Sequence, residues 1–238
     1  MNSNKELDSR LLCCAELVRR GSVAADIGSD HAYLPIYLVK HGICPKAIAS
    51  DINEGPVNRA KINVAVSGLS KEITVLKADG LDAAAELSPD DIIIAGMGGE
   101  LIRDIIDASE YVKNPSIRLI LQPMTMPEVL REYLFENGFA VTDETVCIAA
   151  DKCYQIICAH FDGNKRKFDD ITLLLGEKNI ERMSSSPTSD DIELLKRLSA
   201  SVTRRINGRK SSQNPDPCAI KKDEELLEFC RQLLSGKE

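Results

Sequence analysis

Acidic and glycine residues recur at the ends of short apolar runs in the first half of the chain. The first run, Val23 to Ile27, contains Asp26 and leads into Gly28-Ser29-Asp30-His31. The second, Ala47 to Ser50, ends at Asp51, with Ile52 and Asn53 next. The third, Ile73 to Lys77, is followed by Asp79-Gly80-Leu81. The fourth, Asp91 to Ala95, runs into Gly96-Met97-Gly98-Gly99, and the fifth, Ile117 to Leu121, into Gln122-Pro123-Met124. Open α/β sheets bind ligands beyond the carboxyl ends of their strands, so the recurrence gathers these residues at one edge.

Each position has a chemistry. Gly28 lets the backbone approach a ligand. A dinucleotide fingerprint would continue G-x-G-x-x-G, but here Asp30 and His31 follow, and an acid repels a pyrophosphate. It suits a zwitterion bearing an ammonium group, such as the methionine part of S-adenosylmethionine (SAM). The alternative for Asp26 and Asp30 is helix capping or turn formation. Asp51 is placed to accept both hydroxyls of a ribose, or to cap the next helix, which Asn53 or Glu54 could also do. Asp79 suits an edge-on contact to adenine N6 with Leu81 against the ring, although Asp-Gly alone is a common turn. The cofactor candidates are therefore Asp26, Gly28, Asp30, His31, Asp51, Ile52, Asn53, Asp79, Gly80 and Leu81. Gly96, Gly98 and Gly99, around Met97, offer bare backbone for close approach of a flat base, or a glycine turn packed on the neighbouring helix. The Asp/Asn-Pro-Pro-aromatic loop of many amino-methyltransferases does not occur there. Gln122 could bond a base edge and Met124 pack on its face, or both could be strand-end packing. His41 and His160 read as ordinary surface or strand residues.

The elements between these positions alternate. Helical spacing is expected from about Leu7 to Arg20, Leu34 to His41, Pro56 to Ser67, Leu101 to Tyr111 and Pro127 to Asn137. Strand–helix alternation with continuous apolar strands means βαβ units and a parallel sheet buried on both faces. Ala140 to Ala149 and Tyr154 to Phe161 read as two closing antiparallel strands. A boundary is expected near Asp162, giving an α/β domain over 1–161 and a helical one over 162–238. The tail pattern predicts helices over Asp169 to Met183, Asp190 to Ile206 and Asp223 to Leu234.

Composition is that of a soluble globular chain of 238 residues, 43% hydrophobic and 28% charged. No apolar run approaches the roughly 20 residues of a membrane span, and the N-terminus lacks a signal-peptide pattern, so a cytoplasmic location is expected. The eight cysteines form no C-x-x-C pair and the histidines number three, so free buried thiols are expected and no metal. The net charge of −7 hides an asymmetry. From Leu194 to Lys222, Lys196, Arg197, Arg204, Arg205, Arg209, Lys210, Lys221 and Lys222 face a single acid, Asp216. A monomer is slightly favoured over an oligomer.

An antiparallel pair closing a parallel sheet is a feature of the methyltransferase variant of the Rossmann fold. The chain resembles the bacterial tRNA (adenine-22-N1)-methyltransferases. Five segments carry the resemblance: Val23 to Pro35 with Asp26-Ile27-Gly28-Ser29-Asp30-His31, Ala49 to Asn53 with Gly55-Pro56, Ala78 to Leu81, Ala95 to Gly99, and Leu121 to Met124. It spans about Leu7 to Phe161. It implies a seven-stranded, mostly parallel sheet, SAM as cofactor, tRNA as partner, and methyl transfer to N1 of an adenine. N1 carries an in-plane lone pair, so no strong general base is required and alignment is the enzyme's task. The adenine must leave its stack, a cost that an aromatic such as Tyr33 would offset. The resemblance also implies that a C-terminal, coiled-coil-like helical domain holds tRNA. Arg204, Arg205, Arg209 and Lys210 are the first candidates, or else a solvated helix face, with Arg10, Arg19 and Arg20 next. The alternatives are a SAM-dependent methyltransferase of a small molecule or protein, and a non-catalytic SAM- or RNA-binding module.

Overall fold

The computed structural model describes residues 7–235. Its strands are β1 (Val23–Ile27), β2 (Lys46–Asp51), β3 (Ile73–Lys77), β4 (Asp91–Gly98), β5 (Arg118–Thr125), β6 (Phe139–Ala149) and β7 (Lys152–Phe161). They form one sheet in the order β3-β2-β1-β4-β5-β7-β6. The first five are parallel neighbours, and β7 joins antiparallel to both β5 and β6. The expected sheet is the observed one.

The central strands are apolar without interruption because both faces are covered. Ile92, Ile94, Leu119 and Leu121 enter one core cluster, while Ile93 and Ile120, between them in sequence, enter the other. The helices that cover the sheet are α1 (Ser9–Glu16), α2 (Tyr33–Lys40), α3 (Glu54–Val66), α4 (Asp82–Ala85), α5 (Gly99–Asp107) and α6 (Pro127–Glu136). The four-residue α4 has no periodicity long enough to be read from sequence.

β4 and β5 run several residues past their expected ends. β4 continues through Gly96 and Met97 to Gly98, and β5 through Gln122 and Pro123 to Thr125. The Gly96–Gly99 segment is therefore not a free loop. It is a bulged strand end, with register shifts between Ala95 and Met97 and between Met97 and Gly98, leading directly into α5. Gly96 takes φ 84 at the bulge, a left-handed conformation that glycine adopts without a Cβ penalty.

The helix expected over Asp169 to Met183 divides into α7 (Asp170–Leu175) and α8 (Glu177–Ser185). Gly176 separates them at φ 87, and a Cβ there would lie 2.3 Å from Glu144 Oε2. Glu144 is fully buried and accepts from Arg131 Nε at 2.6 Å, with Arg131 equally buried. Arg131 Nη1 also donates to the Leu173 carbonyl at 2.8 Å. This buried pair, expensive to leave uncompensated, ties residues 162–178 to the sheet. The chain accordingly divides into two compact units, the first ending at Lys178 and the second beginning at Asn179, later than the expected boundary at 161/162.

In the second unit α9 (Ser189–Lys210) and α10 (Pro217–Leu234) pack together. Thr188 and Asp191 form a capping box at the start of α9, and Asp216 caps α10 ahead of Pro217. Leu195, Val202 and Ile206 of α9 and Leu226, Leu227, Cys230 and Leu233 of α10 are buried at helical spacing. Among the described residues, no helix is long and apolar enough to cross a membrane.

Candidate active site

A helix feeding β1 through a short turn packs back along the sheet, so its first turn reaches the carboxyl end of the strands. Arg10, in the first turn of α1, is placed there. Arg19, just past the end of the same helix, reaches the opposite edge, where its Nε donates to Asp91 Oδ1 at 2.6 Å. Asp91 is the fully buried first residue of β4. Arg19 thus holds the helix on the sheet.

At the carboxyl edge lies a cavity of about 310 Å³, lined among others by Arg10, Asp26, Gly28, Asp30, Tyr33 and Ala95. Asp26 is 8% exposed. Burial raises its carboxyl from the usual 3.8 to about 6, opposed by the Ser29 hydrogen bond and by the Arg10 charge. A cavity with one buried acid and one guanidinium complements a zwitterion.

Gly28 and Ser29 cannot offer their amides to a phosphate, since both N–H groups donate to the Ser50 carbonyl at 2.8 Å. The backbone conformation requires glycine at Gly28, and the flexible end of Met97 packs against the space a side chain would fill. Gly28 takes φ 78, and a Cβ there would stand 2.1 Å from Met97 Cε. Met97 therefore lies over the glycine loop, bringing two of the sequence-derived positions together.

Asp30 lines this cavity, with its carboxylate already engaged by neighbours. It is about half exposed and accepts from Arg59 of α3 through Oδ1, while Oδ2 lies 3.2 Å from His31 Nε2. His31 stacks on Tyr33 with ring centroids 5.0 Å apart and planes 10° apart. Asp30 is thus engaged in holding the loop that presents these rings. Arg59 gave no sequence signal, because its partner lies 29 residues away.

Asp51 ends β2 half-buried. Its Oδ1 accepts from Asn53 N at 2.7 Å, which leaves Oδ2 to a ligand, and Ile52 beside it is 53% exposed. Asp79 is exposed and Gly80 takes φ 69. Leu81, expected against an adenine ring, is instead 2% exposed within the core. The reason is the turn at Gly80, which sends the next residue back under the sheet edge into α4.

Gln122 does not face a base. Its side chain is fully buried and has no capacity left for a base edge. Oε1 accepts from Arg10 Nη1 at 2.6 Å and from Gly96 N at 3.0 Å. Nε2 donates to the Pro123 carbonyl at 2.9 Å and faces Met124 Sδ at 3.8 Å. Gln122 positions Arg10 and the glycine bulge. Arg10, expected to touch RNA, lines the cavity instead.

In the second unit the four cations separate. Arg205 Nη2 and Nε bind Asp223 at 2.5 and 2.9 Å, Arg209 Nε lies 3.0 Å from the same carboxylate, and Lys210 pairs with Glu224 at 2.6 Å. Asp223 is 5% exposed. Arg205 clamps α9 to α10, Arg209 lies within ion-pair distance of the same acid with no hydrogen bond from its Nε, the Lys210 pair is half exposed, and Arg204 is exposed on α9.

Residues 7–157 match the model of the family described as methyltransferase domain. The chain is 41% identical over 176 residues to the tRNA (adenine(22)-N(1))-methyltransferase of Bacillus subtilis strain 168, covering 74% of each. Among solved structures, it resembles the B. subtilis m1A22 tRNA methyltransferase TrmK at 29% identity. That match has a TM-score of 0.81 and covers 97% of this chain and 99% of the other. It also resembles M. capricolum TrmK in complex with its natural cofactor product S-adenosyl-homocysteine, at 25% identity and a TM-score of 0.76, covering 95% and 96%. With the sheet order, the glycine loop beneath Met97 and these likenesses together, the chain belongs to the tRNA (adenine-22-N1)-methyltransferase family.

Proposed function

We propose that this protein transfers a methyl group from SAM to N1 of an adenine in tRNA, position 22 as in its B. subtilis relative. The observation that carries the reading is the presence of Arg10 and the buried Asp26 in the lining of one cavity at the carboxyl edge of the sheet. The residues fit the cofactor. Arg10 suits its carboxylate, Asp26 its ammonium group, and Asp51 with a free Oδ2 its ribose, with Ile52 exposed for the adenine face. Asp79 is the candidate for the adenine edge.

SAM, when bound, supplies an electrophilic methyl group. The protein's own residues orient and exclude. Gln122 fixes Arg10 and holds the Gly96 amide, so the zwitterion end is anchored on a rigid strand. Gly96 and Gly98, lacking side chains, leave the carboxyl end of β4 accessible to a flat base, and Tyr33, stacked on His31, offers an aromatic face to it. Since N1 attacks through its own lone pair, no residue needs to remove a proton before attack. The second unit recruits the tRNA body, with exposed Arg204 the foremost phosphate contact.

The test is to incubate unmodified tRNA with labelled SAM and identify the product nucleoside by mass spectrometry. 1-Methyladenosine at position 22 is expected. Label in another nucleoside, or none in tRNA, would sink the reading.

A further inference from the structure

The edge formed by β4 and β5 carries a feature that the reading above does not use. Met124 and Met126 are 39% and 41% exposed. They flank Thr125, whose pairing with Gly98 ends the ladder between the two strands. Met126 holds φ 56 and ψ 49 immediately before α6. A large side chain is an outlier in that left-handed region, which glycine or asparagine enters with less strain. Nor is the methionine retained for burial. The junction itself is locked, since a Cβ on Gly99 would stand 2.2 Å from the Met126 carbonyl oxygen. A strained backbone presenting an exposed apolar side chain at the ligand-binding edge points to function rather than stability.

We propose that Met126, with Met124 beside it, is the apolar rim on which the nucleobase neighbouring the target adenine packs once that adenine has left its stack. The inference rests on the tRNA methyltransferase reading. Extruding a base exposes the face of its neighbour to water. Apolar wedges, methionine among them, occupy unstacked steps in nucleic-acid complexes. The unbranched, polarizable thioether conforms to a flat π face. The rim is continuous with the reaction site, because Met124 Sδ lies 3.8 Å from the Gln122 amide that also holds Arg10.

Two substitutions separate this role from a structural one. Met126→Asn relieves the backbone and removes the apolar surface, whereas Met126→Leu keeps the apolar surface and the strain. Thermal midpoint, SAM affinity and kcat/KM on unmodified tRNA are measured for both. Met126→Asn should be as stable as the parent or more so, bind SAM equally well, and lose about fivefold in kcat/KM. Met126→Leu should show no gain in stability and near-parental kcat/KM. Parental kcat/KM in Met126→Asn, activity that follows stability across the series, or a loss of SAM affinity would each overturn the inference alone. A parent chain that binds SAM and leaves tRNA unmethylated overturns the wider reading and this inference with it.

Discussion

Arg10 Nη1 donates to Gln122 Oε1 across 2.6 Å, joining the first turn of α1 to the end of β5, 112 residues later. The same oxygen accepts from the Gly96 amide, so one buried side chain sets the positions of a charged group and a bulge. Gln122→Met keeps the volume and removes the one oxygen that accepts both bonds, together with the amide donor to Pro123. Loss of these bonds should cost about 1–3 kcal/mol of stability and weaken SAM binding about tenfold. Denaturant unfolding and calorimetric titration measure the two effects. Unchanged SAM affinity in a folded variant would show that Arg10 does not need its partner.

Asp26 should make the protein sensitive to pH. Its folded pKa of about 6 lies above the usual 3.8, so the folded state holds this proton more tightly than the unfolded state. The stabilisation is complete below about pH 4 and is lost as the pH rises through about 6, roughly 3 kcal/mol in all. A ligand ammonium prefers the ionised acid, so SAM affinity should fall about tenfold from pH 7 to pH 5. Asp26→Asn should flatten both profiles and weaken SAM binding at neutral pH. Persistence of either pH dependence in that variant would move its origin to another group.

Asp51→Ala should cost about 1.5–3 kcal/mol in SAM binding, the range for hydrogen bonds to a charged group. Asn53 N loses its acceptor in the same variant, so a stability measurement accompanies the titration. An unaltered SAM affinity would remove the ribose assignment.

The glycines at the end of β4 should differ sharply in tolerance. A Cβ at Gly98 meets Thr125 Oγ1 at 3.3 Å, whereas at Gly99 it meets the Met126 backbone oxygen at 2.2 Å. Gly99→Ala should therefore cost about 1–3 kcal/mol through overpacking, and Gly98→Ala clearly less. Gly98→Val should hinder the target base while leaving SAM binding nearly intact. Thermal unfolding and methylation assays rank the three variants, and equal midpoints for the two alanine variants would contradict the contact.

Changing Arg204, Arg205, Arg209 and Lys210 together would confound RNA binding with folding. Arg205→Ala leaves Asp223 short of a partner while that acid is 5% exposed, and should cost about 1–3 kcal/mol of stability. Arg204→Ala should leave stability unaltered and make the salt dependence of tRNA binding shallower by about 1 in log–log slope. The comparison needs tRNA titrations at several salt concentrations beside unfolding curves. A parental slope for Arg204→Ala would remove it from the docking surface.

The parallel strands, their order of appearance and the closing antiparallel pair were legible because each is written locally. Apolar runs, turn glycines and helical spacing act over ten or so residues, and a strand buried on both faces has no room for polar interruption. The acids at the strand ends were legible for the same reason, since topology brings every such end to one edge. Partnership was not legible. Gln122 looked free to meet a base until folding placed Arg10 and Gly96 on its oxygen, and Leu81 looked available until the Gly80 turn buried it. The segment from Leu194 to Lys222 read as strongly basic, yet Asp223 and Glu224, immediately after it, lie within ion-pair distance of Arg205, Arg209 and Lys210. The sequence by itself determined which chemistries were on hand and at which edge. Only the tertiary structure decided which side chains remained available, because a hydrogen bond or ion pair depends on a few ångströms between residues that sequence separation does not measure.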